Sequence, residues 1–163
     1  MITAIALFAG GCGYSLVGRG SALPPGIRSI HIPIFVNKTG EPDLDTIVTR
    51  AVKEGFIRDG RLKVLESSSA DSALKGVIQT YGLRPLAYDA DNNVTEYSVD
   101  ITALITHTQR GVAKPLVRQV MQTKRRYQVD PLITEAERQR LAAIEAAAGN
   151  AAESIISIVI EAF

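Results

Sequence analysis

The stretch TEYSVDITALITHT, Thr95 to Thr108, alternates apolar and polar residues with a period of two. Tyr97, Val99, Ile101, Ala103 and Ile105 fall on one side, and Ser98, Asp100, Thr102 and Thr106 on the other. Successive side chains of a strand point to opposite faces, so the pattern predicts a strand with one face in a core and one in water. Just upstream, Asp89 to Asn93 (DADNN) has the composition of a hairpin turn. Ala73 to Leu83 predicts the strand leading into that turn, ended by Arg84-Pro85. Downstream, Arg110-Gly111 and Lys114-Pro115 mark a loop, and Leu116 to Val129 predicts a last, more polar strand.

The elements on either side complete the fold. Arg28 to Val36 alternates, with Ile30, Ile32, Ile34 and Val36 on the core face and Ser29, His31, Pro33 and Phe35 opposite. Pro33 removes one ladder donor and argues for an edge or a bulge. The turn Asn37 to Pro42 puts a proline at a helix start. Asp43 to Asp59 then has helical spacing through Leu44, Ile47, Val48, Ala51, Val52 and Phe56, with Gly60 as C-terminal cap. Leu62 to Leu65 predicts a short strand and Ser67 to Asp71 a turn. A capping-box pattern at Thr134 and Glu137 opens a terminal helix. Its stripe runs through Leu141, Ile144, Ala148, Ala151, Ile155, Ile158 and Val159, with Gly149-Asn150 as a candidate break. The expectation is an α+β two-layer sandwich: a mixed sheet of about four strands with two helices packed on one face.

Composition narrows the function. The chain has 163 residues and a formal net charge of +1, short for a barrel enzyme and too balanced for a strongly basic nucleic-acid binder. One cysteine excludes an intramolecular disulfide, and two histidines cannot build a three-histidine metal site. No nucleophile and base stand in a recognisable pattern. His107 continues the core-facing register of its strand and reads as a packing residue; His31 lies opposite the isoleucines and reads as exposed. Gly18-Arg19-Gly20 lacks the spacing of a phosphate loop. Asp89, Asp91, Asn92 and Asn93 lack the glycine and closing glutamate of a calcium loop and read as turn residues. The expectation is a protein with no enzymatic activity, no metal, no cofactor and no nucleic-acid partner.

The first residues speak of location. Residues 1–11, MITAIALFAGG, form a short apolar run followed by small residues before Cys12. That arrangement suits a lipoprotein signal peptide: narrow side chains next to the scissile bond, and a thiol that takes a diacylglyceryl group. Ala9 stands at position −3, where leucine is usual, and no basic residue precedes the run. The competing reading is a buried first element with an inert cysteine. The expected organisation is a signal peptide over 1–11, a lipidated tether over 12–27 rich in glycine and proline, and one α/β sandwich domain over 28–163. With Gly13 after the cysteine, no inner-membrane retention signal is evident, which favours the periplasmic side of an outer membrane.

The informative polar feature is basic. Arg118, Lys124 and Arg126 share one face of the last strand, Lys114 precedes it, Arg84 ends another strand, and Arg125 lies on the opposite face. A row of cations on a neutral protein can hold phosphates. It can equally be an edge strand that uses charge against aggregation.

Five blocks stand in order along the chain: Cys12-Gly13-Tyr14-Ser15-Leu16-Val17-Gly18, Ile30 to Asn37 with its Asn37-Lys38-Thr39 turn, Leu83 to Asp89 (LRPLAYD), Thr95-Glu96-Tyr97 and the terminal helix. The first is similar to the mature start of the LptE family of lipopolysaccharide-assembly lipoproteins, and the ordered set resembles that family. The resemblance implies a lipid anchor on Cys12 and an outer-membrane location. It implies a plug and assembly role inside the LptD β-barrel, with the exposed sheet face and loops against the barrel wall. It also implies lipopolysaccharide as ligand, for which charge and strand geometry nominate Arg84, Arg118, Lys124 and Arg126. An alternative with the same anchor is a periplasmic adaptor that activates a cell-wall synthase, but the tether of about a dozen residues keeps the domain near the membrane.

Overall fold

The computed structural model describes residues 23–129 and 133–161, and of residues 133, 134 and 161 the backbone only. Cys12, the signal stretch, most of the tether and the Thr134 side chain of the capping box lie outside the described residues. The elements are β1 (Ser29–His31), β2 (Val36–Asn37), α1 (Leu44–Asp59), β3 (Lys63–Leu65), β4 (Ser72–Tyr88), β5 (Val94–Gln109), β6 (Val117–Gln128) and α2 (Ile133–Glu161). Among the described residues the sheet has six strands, not about four, in the order β3-β1-β4-β5-β6, with β2 also on β4. β1 runs parallel to β3 and β4, β2 parallel to β4, and β4, β5 and β6 form an antiparallel meander. The class is α+β with two helices, as expected.

One of the additional strands, β2, arises at Pro33, where the chain breaks instead of continuing one alternation. Ile30 and Ile32 are fully buried, but Ile34 and Val36 are exposed, and Phe35 is buried in their place. This corrects the face assigned to all three. The physical cause is local: the Phe35 N–H leaves the ladder and donates to Thr49 Oγ1 of α1 at 2.9 Å. The ring then drops onto Gly76, where a Cβ would lie only 2.2 Å from it. Glycine at 76 is what allows Phe35 into the core.

α1 begins one residue later than its proline suggested. Asp43 intervenes at φ 56 and makes no side-chain cap, so Pro42 precedes the helix rather than occupying its first turn. Gly60 caps the C-terminus as predicted, at φ 73 with its N–H on Phe56 O. α2 runs unbroken through Gly149-Asn150, correcting the break considered there. One window of it, Glu135–Ile160, is apolar and long enough to cross a membrane, but half of that window is buried in the fold, as in a core helix. β4 continues through Pro85 to Tyr88, five residues past the predicted end. Beyond Ile78 its other edge carries no partner among the described residues, so Pro85 forfeits no ladder bond.

The core lies between the helices and one face of the sheet. Val99, Ile101, Ala103, Ile105, Met121 and Thr123 supply the sheet side, and Val48, Val52, Phe56, Ile144, Ala148 and Ile155 the helix side. Each fully buried large apolar side chain contributes about 1.5–3 kcal/mol. Ile27 is buried and Leu23 packs against the same core. A polar clamp closes the margin: Arg140 of α2 donates to Glu41 Oε1 at 2.7 Å, to Glu137 Oε1 at 2.8 Å and to Tyr81 Oη at 3.3 Å. These bonds, Glu137 foremost, hold the guanidinium protonated well above its ordinary value. His107 is buried at 0% exposure, as its register predicted, with neither ring nitrogen bonded among the described residues.

Candidate functional site

The face of the sheet away from the helices is built in cross-strand rows. A register shift between Ile78 and Thr80 moves β4 by one residue, so its outward residues are odd-numbered below the bulge and even-numbered above it. A period-two pattern contains no such phase change. From the hairpin end downward the rows are Arg84–Ser98–Arg126, Gly82–Asp100–Lys124, Thr80–Thr102–Gln122, Val77–Leu104–Val120 and Lys75–Thr106–Arg118.

Three of the four nominated cations come together. Arg84 and Arg126 flank Ser98, and Lys124 lies opposite Asp100 in the adjoining row. Asp100 is claimed on both oxygens: Ser98 Oγ donates to one at 2.8 Å, and Arg84 forms an ion pair with the other. Among the described residues, Lys124 and Arg126 have no ion-pair partner. Gly82 leaves open space beside them, since a Cβ there would meet no atom within 4 Å. The cluster therefore carries three cations against one half-neutralised carboxylate, around a dip in the surface. Arg118 stands apart, six residues along β6 and so about 20 Å away. It shares its row with Lys75, a cation that sequence reasoning did not nominate. Arg125 is exposed on the helix side, opposite Val99, and Lys114 is exposed in the loop before β6.

Between the two basic ends runs an apolar stripe. Val36 of β2 pairs with Val77, which pairs with Leu104, which pairs with Val120. Val36 and Val120 are each 54% exposed. The outer face is therefore basic, apolar and basic again along its length, and Ser98, expected to face water, is buried. Predicting the stripe required knowing that β2 docks beside Val77 and that β4 shifts phase.

The other candidates resolve as structure. Asp89 Oδ1 accepts the N–H groups of Asp91 and Asn93 at 2.9 and 2.8 Å, with Asn93 chiefly holding its carboxyl below the usual range. His31 is half-buried rather than exposed, and its Nδ1 lies 3.0 Å from Leu65 O. Among the described residues no group of three His, Cys, Asp or Glu side chains could hold a metal ion.

Comparison with known proteins agrees with this architecture. No curated protein matches the sequence. A solved lipoprotein B from Nitrosomonas europaea aligns with a TM-score of 0.58 and 16% identity, covering 91% of this chain and 90% of that one. The rare lipoprotein B of Shewanella oneidensis aligns with a TM-score of 0.57 and 18% identity, over 81% and 95% of the two chains. A Xanthomonas campestris protein aligns with a TM-score of 0.62 and 11% identity, over 87% and 89%. At these identities the likeness is one of fold. The family is settled by a sequence profile, LptE lipopolysaccharide-assembly, which matches residues 27–157: the chain belongs to the LptE family.

Proposed function

We infer that this protein is a lipid-anchored, non-enzymatic component of the lipopolysaccharide-inserting machinery of the outer membrane. In this reading residues 1–11 are removed, Cys12 carries the acyl chains, residues 12–27 tether the protein on the periplasmic side, and residues 28–163 form the working domain. Its partner is the LptD β-barrel, which it plugs and helps to assemble, and its ligand is lipopolysaccharide.

The observation that carries the ligand reading is the layout of the outer sheet face. Lipopolysaccharide is an amphiphile with phosphates on its sugars and acyl chains below them. The Arg84, Lys124 and Arg126 cluster offers cations to the phosphates. The Val36–Val77–Leu104–Val120 stripe offers apolar surface about 13 Å further along the strands, four residues from Lys124 to Val120. Arg118 and Lys75 lie past the stripe. A monomeric glycolipid laid along this face would be drawn out of its aggregate without any covalent chemistry. Asp100 tunes the cluster, because a phosphate must compete with it for Arg84.

Charge reversal at Lys124 and Arg126 together is expected to weaken lipopolysaccharide binding at least tenfold, with circular dichroism and melting unchanged. Wild-type binding by a folded double variant would reject the phosphate role. Crosslinking of the acylated protein in outer membranes, followed by mass spectrometry, is expected to recover a large β-barrel. Capture of a cell-wall synthase in its place would support the adaptor reading.

A further inference from the structure

A second polar site lies on the same sheet face at its opposite end, ten residues down β5 from Ser98 and so about 33 Å from the Arg84 cluster. His31, Ala73 and Thr108 form one cross-strand row there. Ala73 is small, so the floor sinks between its two polar neighbours. Lys75 and Arg110 stand at the sides, and Ser68 of the turn before β4 closes it. The concavity holds about 380 Å³.

The cations are the least committed groups here, whereas the Thr108 hydroxyl donates to Ala73 O at 3.4 Å and keeps its lone pairs for a sugar hydroxyl. Leu65 O can only accept, so the imidazole of His31 donates to it from Nδ1, which leaves Nε2 of the neutral ring as an acceptor for a sugar hydroxyl. Arg110 is anchored at the rim: one guanidinium nitrogen donates to Ser69 O and another lies 3.8 Å from Asp71. Asp71 is occupied elsewhere, its Oδ2 accepting from Ser29 Oγ at 2.7 Å and from the Arg28 N–H at 3.1 Å. Lys75 has no ion-pair partner among the described residues. No carboxylate lines the concavity among the described residues.

We propose that this concavity is a binding site for a phosphomonoester carried on a sugar-sized body. Lys75 and the anchored Arg110 face the anion, His31, Ser68 and Thr108 supply hydrogen-bonding groups, and Ala73 and Pro33 form the apolar floor. Its volume lies within the range of small-molecule sites, about 300–1,000 Å³, and exceeds what a bare oxyanion fills. The chemistry is shared by soluble sugar phosphates and by phosphorylated lipid headgroups. The site stands on its own residues and is independent of the lipopolysaccharide reading of the Arg84 cluster.

The test uses the ¹⁵N-labelled protein with glucose 1-phosphate, and separately with vesicles containing phosphatidic acid. Saturable shifts at the amides of residues 68–75 and 108–110 with either probe support the site, and the responding probe identifies the source. Lys75→Gln is expected to weaken that response at least tenfold, and Ala73→Leu, which fills the floor, to remove it. The Lys124 and Arg126 double reversal is expected to leave it intact, so failure here and failure of the lipopolysaccharide reading are separable. No shift with either probe, or shifts that persist in both folded variants, would overturn the proposal.

Discussion

The two faces of the sheet are made from the same strands and obey different rules. On the inner face Val99, Ile101, Ala103 and Ile105 are buried almost completely, and His107, buried in line with them, is held neutral. On the outer face the alternate residues of the same strand pair with Arg84, Lys124, Arg126, Val77, Val120, Lys75 and Arg118. The inner face is constrained by packing, where one misplaced charge costs more than the fold can spare. The outer face is free of that constraint, and its order of charge, apolar stripe and charge has no role in packing the core. Pattern on a face that folding does not need is the better sign of a ligand.

The sharpest way to break the comparison is to put a charge on the wrong side. Ile101 is 1% exposed. Ile101→Asp buries an unpaired carboxylate against the helices and is expected to cost at least about 4 kcal/mol, much of the stability of an ordinary domain. The measurement is circular dichroism with urea titration. A soluble, native-like Ile101→Asp variant would show that the face assignment is wrong.

A smaller effect probes the inner face from within. Burial pushes His107 from 6.5 down to about 4. Its folded value lies below its unfolded one, so the unfolded chain binds the extra proton between them. Stability from this group is therefore complete above about pH 6.5, falls as pH drops toward 4, and levels off below that. The loss across that window is on the order of 3 kcal/mol. His107→Leu is expected to flatten that slope, with stability near neutral pH unchanged or raised, since two unbonded buried nitrogens are removed. Urea midpoints measured from pH 7.5 to 4 decide it; an unchanged slope in His107→Leu would assign the acid sensitivity to other groups.

How far the sequence could be read follows the same division. The inner register of β5, the meander, both helices, the Gly60 cap and the buried His107 all follow from periodicity, because a buried face forces it. The stretch around Pro33 did not yield to alternation. Whether Ile34 or Phe35 turns inward depends on Thr49, fourteen residues away, and on the missing Cβ of Gly76, neither of which a period-two pattern contains. The outer site was half legible. Lys124 and Arg126 share a face by simple counting, and Arg84 joins them only because the bulge after Ile78 shifts β4 by one residue. Arg118 obeyed the same counting, yet lies too far along the strand to join the cluster. Lys75 and the apolar stripe needed pairings between strands that are distant in sequence.

The smallest expected change in stability is the most informative about ligand. Val120→Asp makes the Ile101 substitution's chemical change on the opposite face, at a side chain already 54% exposed. Arg118 and Gln122 are its neighbours on that face of β6, so the new carboxylate stays hydrated beside a cation rather than buried. Stability is expected to move by no more than about 0.5 kcal/mol. Lipopolysaccharide binding is expected to weaken severalfold, because the charge stands in the stripe assigned to acyl chains. A neutral control, Val120→Ile, keeps the surface apolar and is expected to bind like wild type. If Val120→Asp also binds like wild type, the stripe does not touch lipid and the outer face acts through its cations alone. If instead it melts like Ile101→Asp, the outer face is part of the core and the two-sided sheet described here is wrong.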